Sequence, residues 1–301
     1  MAIKARDQIK WTTSATSLTL EADTGEAFLV KDIHVGGALN NYTTITIDKT
    51  TVGYIRSAQG YLGNHIHFQI EDNSKVTLLR YLMDKGIFKG YPVAEGQKFI
   101  VNPGSSMSIA IIYDIYEPGD ISADMENGSE AKEYMLINYG RAGTSGYLAN
   151  GDNEYDISIL PSEFPNFPFG KDVPAKTAVE IYGILASDLG KTSDSAANKQ
   201  YTKYIKLIKE REVLFDEDKL GLVLLGSLPT SDNFYIGAGI SIVGNFSDND
   251  YRLPFMLSAP LRFSAGEELT VILNTQVSAG SPNIPVDKAD IAFIEKVIRT
   301  G

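Results

Sequence analysis

One phrase in this chain occurs twice. Phe99 to Tyr113 reads FIVNPGSSMSIAIIY, and Phe263 to Thr275 reads FSAGEELTVILNT. Each is an aromatic strand end, a glycine-centred turn and a long apolar strand, which together read as a hairpin. Two such units half a chain apart point to one antiparallel β-sandwich laid down twice. The expected fold class is mainly β, with two tandem antiparallel β-sandwiches and few short helices.

The rest of the chain supports strands. Ile45 and Ile47 alternate with Thr44 and Thr46, the period-two pattern of a half-buried strand. Residues 27–35 form a strand-like run that ends at Gly36 and Gly37, a turn signal, and 107–116 are apolar on both faces, as a central strand requires. One helix is expected, capped by Ser74, with Leu78, Leu79, Leu82 and Met83 on its apolar face and Gly86 at its end. Residues 201–209 and 291–298 fit either period; their β-branched content favours strand.

The boundaries are placed at residues 1–125 for the first sandwich, 126–176 for a linker and 177–301 for the second. The linker is rich in Gly, Pro, Asn and Asp, with a strand-like island at 134–138. It contains PSEFPNFPFG from Pro161 to Gly170, whose three prolines exclude a central strand. Its rings Phe164, Phe167 and Phe169 still need burial, between the sandwiches or against a neighbouring subunit.

Composition narrows the function. The 301 residues suit about two domains. A net charge of −11 argues against broad nucleic-acid contact, which needs clustered Lys and Arg. The chain has no cysteine, so disulfides and thiolate metal sites are excluded. The first ten residues lack the apolar core of an export signal, and no run approaches a membrane span, so synthesis without export or membrane integration is expected.

Chemical motifs are sparse. His65 and His67 are two apart, so on a strand both imidazoles face one way and offer two ligands to a metal. Two polar rings on a solvent-facing strand explain the same pattern, and no cofactor is expected. No Gly-x-Ser-x-Gly elbow appears, and the glycines from Gly237 to Gly244 lack a phosphate-binding spacing. No pair of the 38 carboxylates stands out as catalytic, so the chain is read as a non-enzyme. Turn tyrosines, among them Tyr54, Tyr61, Tyr91, Tyr147, Tyr155, Tyr235 and Tyr251, suit protein contact or sugar stacking, or plug the ends of a sandwich.

The duplicated phrase at 99–113 and 263–275 resembles the paired jelly rolls of capsid proteins from tailless icosahedral viruses. That resemblance is one of layout and covers most of the chain. It implies a structural virion protein, made in the host cytoplasm, that self-assembles through homotrimers into an icosahedral shell beside other capsid or penton proteins. It also implies N-terminal contact with the shell interior or an internal membrane, a part for Lys4, Arg6 and Lys10, and no specific nucleic acid. The expected contacts between copies are Phe164, Phe167 and Phe169 first and the N-terminal cations second. The rival readings are a two-domain carbohydrate- or receptor-binding protein of the spike, decoration or lectin kind, and a cupin-type metal enzyme using His65 and His67.

Overall fold

The structure, a computed structural model, describes residues 3–36, 42–56, 67–70, 74–118, 133–157, 166–169, 172–186, 202–214, 222–223, 254–277, 285–286 and 289–300. It is mainly β, built of antiparallel sheets in a sandwich-like arrangement, with one helix among these residues. The chain divides into two compact units. The first holds residues 1–137 and 294–301, the second 138–293.

In the first unit lie β1 (Ile3–Ala15), β2 (Leu18–Glu21), β3 (Ala27–Gly36), β4 (Tyr42–Ile47) and β5 (Thr50–Arg56). A short insertion follows: β6 (His67–Ile70), β7 (Ser74–Thr77) and α1 (Leu78–Asp84). Then come β8 (Tyr91–Val93), β9 (Lys98–Asn102) and β10 (Met107–Tyr116). One sheet has the order β1-β10-β3-β8, and the run β2-β9-β4-β5 is one end of an eight-stranded sheet that continues from β5 to β11. With the insertion set aside and the eight strands lettered B to I along the chain, these are B-I-D-G and C-H-E-F. That is the strand order of a jelly roll.

The chain enters the second unit within β11 (Glu133–Arg141) and leaves it within β19 (Asp290–Arg299). Between them lie β12 (Gly151–Asp156), β13 (Thr177–Ala186), β14 (Thr202–Lys209), β15 (Glu212–Val213), β16 (Leu222–Val223), β17 (Phe255–Ser264) and β18 (Leu269–Val277). The orders here are β11-β19-β13-β17 and β12-β18-β14, with both β15 and β16 pairing β14. Lettered the same way, the second unit is again B-I-D-G and C-H-E-F, with two short pieces in place of strand F.

The repeat extends to hydrogen bonds. In the first unit Gln97 N–H donates to Ala94 O (2.9 Å), and the Ala94 N–H donates to the Gln97 side chain (3.0 Å). In the second, Glu267 N–H donates to Ser264 O (3.0 Å), and the Ser264 N–H donates to the Glu267 carboxylate. Between the paired residues sit Gly96 (φ +81°) and Gly266 (φ +83°), in a conformation that a Cβ disfavours. Each turn then locks to the C–D connection by two backbone bonds. These are Gly96 N–H to Ala22 O with Ala22 N–H to Gln97 O, and Gly266 N–H to Val173 O with Val173 N–H to Glu267 O.

This corrects the alignment read from the sequence. Gly104 joins β9 to β10 (H to I), whereas Gly266 joins β17 to β18 (G to H). Neither connection is a hairpin, because each passes from one sheet to the other. An aromatic strand end, a glycine turn and an apolar strand look alike wherever a sandwich strand reverses. The true counterpart of 261–271 is 91–101.

The turn pair carries a pH prediction. The Ser264 N–H and the Lys209 ammonium, 3.2 Å away, hold the Glu267 carboxyl below its ordinary range, against the opposing effect of partial burial. A carboxyl depressed in the folded state adds stability above its unfolded value, and that stability is lost as pH falls through the folded value. Gln97, its counterpart, performs the same turn without a charge. Glu267→Gln is therefore expected to keep the fold and to destabilise it at neutral pH by less than about 1 kcal/mol, since the pair faces water. The gap from wild type should close in acid, as thermal melts at both pH values would show.

Local readings fare unevenly. Ser74 does not cap α1, because 74–77 pairs with 67–70 as β7. Thr77 is the cap, its hydroxyl accepting from the Arg80 N–H at 3.0 Å. Gly86 ends the helix as read, with φ +73° and its N–H on Met83 O. The ambiguous segments are strands, β14 and β19. Within the stretch expected to link the sandwiches, β11 and β12 are formed. Strand β12 is made of turn-type residues, yet it pairs β18 in unbroken register from Gly151 with Val277 to Asp156 with Ile272.

Candidate assembly surface

Phe167 and Phe169 are 4% and 1% exposed. The Phe167 ring lies 4.9 Å from that of Phe263, and the Phe169 ring 5.5 Å from that of Phe293. The buried Asn138 amide donates to Phe167 O at 2.6 Å. The two rings thus complete the core of the second unit and are not available to a neighbouring copy, which corrects the contact expected of them. Phe164 lies outside the described residues. The Pro-Phe run reads as a surface segment because prolines bar it from a sheet; Phe167 and Phe169 reach the core from outside any strand.

Lys4, Arg6 and Lys10 belong to β1, strand B of the first roll, and all three are exposed. Lys4 donates to Gly25 O at 2.6 Å. Among the described residues the strand is an edge, pairing β10 alone. Its register shifts between Ala5 and Gln8, where Asp7 has φ +52°. A carboxylate closes this bulge from β10: Asp114 accepts from the Asp7 N–H at 2.8 Å and from Lys31 at 2.7 Å, while Lys31 also bonds Asp7. Partial burial works to lower the Lys31 ammonium, but its bonds to Asp114 and Asp7 outweigh it and hold it above its ordinary value. The same Lys31 bond holds the Asp7 carboxyl below its own.

Beyond the bulge, Gln8 to Thr12 face Tyr113 to Ile109 in even register. Directly opposed residues share a face of the sheet. Lys10 and Thr12 stand opposite Ile111 and Ile109, which are buried in the sandwich. Ile9 and Trp11 therefore lie on the outer face, in rows Ile9–Ile112–Asp32 and Trp11–Ala110–His34 across three strands. They are 59% and 66% exposed. At the far end of these rows Asp32 pairs with His34 (3.4 Å) and accepts from Thr77, which brings the start of α1 to the β3 side. Among the described residues no strand pairs the outer edge of β1.

Sequence reasoning missed this surface. Period two in Gln8–Thr12 puts apolar residues on one side, which reads as the buried side. The bulge and the edge position turn that side outward.

The other candidates are less productive. Tyr54 and Tyr91 are buried, against the surface role offered them, whereas Tyr147 is 60% exposed. Tyr155 is half-buried and accepts from the Ala149 N–H at 2.9 Å. Tyr61, Tyr235 and Tyr251 lie outside the described residues. So does His65, and of His67 only the backbone, opening β6, is described. Among the described residues no group of three His, Asp or Glu side chains comes together to hold a metal. No described helix is long and apolar enough to cross a membrane.

No protein-family model matches the chain, and no curated protein does. Among solved structures the chain is similar to a peptide-N(4)-(N-acetyl-β-D-glucosaminyl) asparagine amidase. The identity is 10% and the TM-score 0.31, over 100% of this chain and 95% of that one. It is similar also to the major capsid protein P2 from bacteriophage PM2, at 11% identity and a TM-score of 0.33, over 95% of this chain and 98% of that one. A xanthan lyase from Paenibacillus aligns at 9% identity and a TM-score of 0.18, over 99% of this chain but 25% of that one. Likenesses this distant say nothing of activity.

Proposed function

We propose that this chain is a structural virion protein, a major capsid protein that self-assembles through trimers into an icosahedral shell. The observation that carries the reading is the jelly-roll order found twice in one chain, with the same interlocked turns in both copies. A chain with two modules of one strand order is a tandem pair. Three such chains around an axis then make a ring of six similar modules, a closed arrangement in which every contact is heterologous and repeated. Internal membrane contact and penton partners belong to the same proposal.

Purified protein is expected to sediment as trimers and larger closed particles, visible by electron microscopy. A strictly monomeric species at every concentration would sink the reading. The rival, a carbohydrate- or receptor-binding protein, draws on the exposed Tyr147 ring. Glycan capture by a monomer would favour it.

A further inference from the structure

We propose that the outer face of β1, centred on Trp11 and Ile9, docks against a second copy of this chain. The inference rests on the self-assembly reading and names the surface that performs it.

Three observations carry it. The first is apolar exposure: Trp11 and Ile9 are adjacent on one face of an edge strand, backed by Ala110 and Ile112. Large aromatic side chains left in water beside other apolar groups are the usual centre of a protein contact. The second is the internal repeat. β1 and β11 hold the same place, strand B, in their rolls, but β11 has a neighbour on each edge, β19 and β5, and is buried over six successive residues from Met135 to Gly140, whereas among the described residues β1 pairs β10 alone and most of it is exposed. One plan buries its B strand in one unit and leaves it bare in the other. Within a repeating assembly, the bare strand is the one left for another copy to cover.

The third is charge. β1 carries Lys4, Arg6 and Lys10, of which Lys10 stands on the face opposite Trp11, against the single carboxylate of Asp7, on a chain whose net charge is −11. A cationic strip on an acidic protein is complementary to the rest of the same protein and steers copies together. The bulge held by Asp114 and Lys31 sets which residues face outward, so it positions the surface without joining it.

The chain provides its own reporter, because Trp11 is its sole tryptophan. The test follows Trp11 emission and acrylamide quenching while sedimentation velocity records the oligomeric state over a range of protein concentration. The expected result is emission shifting to shorter wavelength, with loss of quenching, in step with assembly. Ile9→Lys keeps the reporter and places a charge at the centre of the contact. It should raise the concentration needed for assembly by about tenfold or more. An unchanged circular dichroism spectrum would show that the variant keeps its fold.

Assembly with Trp11 still fully quenchable would overturn this surface and leave the self-assembly reading standing. Absence of assembly at any concentration would overturn both. A shift seen only with phosphatidylglycerol vesicles, the protein staying monomeric, would overturn the proposal in favour of a lipid-facing surface.

Discussion

Phe293→Ala is expected to lower stability by about 3–5 kcal/mol, the usual cost of removing a fully buried ring. Phe293 lies on β19 and is completely buried, with its ring against Phe169. Phe169 lies outside the strands, in a turn closed by its N–H on Asn166 O at 2.9 Å. Deleting the Phe293 ring therefore leaves a void floored by a loop residue and walled by strands, and the strands cannot close in without breaking ladder bonds. Phe293→Leu should cost less than half as much, because most of the volume stays. Urea unfolding followed by circular dichroism gives both values. A change near zero for Phe293→Ala would mean that the ring is not in the core.

Gly140→Ala is the second large effect. A methyl group at Gly140 would stand 2.6 Å from two ring carbons of Phe169 and 2.8 Å from a third. Real Cβ contacts do not come that close, so the ring or the strand must move. Overpacking of this kind costs about 1–3 kcal/mol. The glycine is thus explained by space: β11 leaves a gap in its side-chain row, and the Phe169 ring fills it. Pairing the change with Phe169→Leu should recover part of the loss, so that the double variant is more stable than the sum of the two single losses implies. Strict additivity would show that ring and glycine do not meet.

The two expectations bear on how the Pro-Phe run was read. Its composition marks it as non-sheet and its rings as needing cover, and both hold for the described residues 166–169. What covers them is not legible from local pattern. Phe167 and Phe169 meet Phe263 and Phe293, residues about a hundred positions away. Only the pairing of strands distant in sequence brings those partners together, and a segment's own period carries no record of it.

The strands themselves were easier to read. β4 shows its burial in its residues, with Ile45 and Ile47 buried on one face, whereas β10 reads as apolar on both faces and buries only alternate residues around Ile109 and Ile111. β12 was harder, because Gly151, Asp152 and Asn153 read as a turn and become a strand only through β18. The helix was found but its start was misplaced. Ser74 and Thr77 are both good caps, and the choice between them fell to the pairing of β7 with β6.

By itself the amino-acid sequence determined the material: a cysteine-free, acidic, strand-rich chain punctuated by turns. Side-chain alternation and turn chemistry act over a few residues, so they can be read without knowing what lies across the sheet. The tertiary structure alone decided which turns correspond, where the phenylalanines are buried, and that Ile9 and Trp11 face outward. Those depend on register and edge position, and a bulge of one residue reverses a strand's faces without altering its pattern.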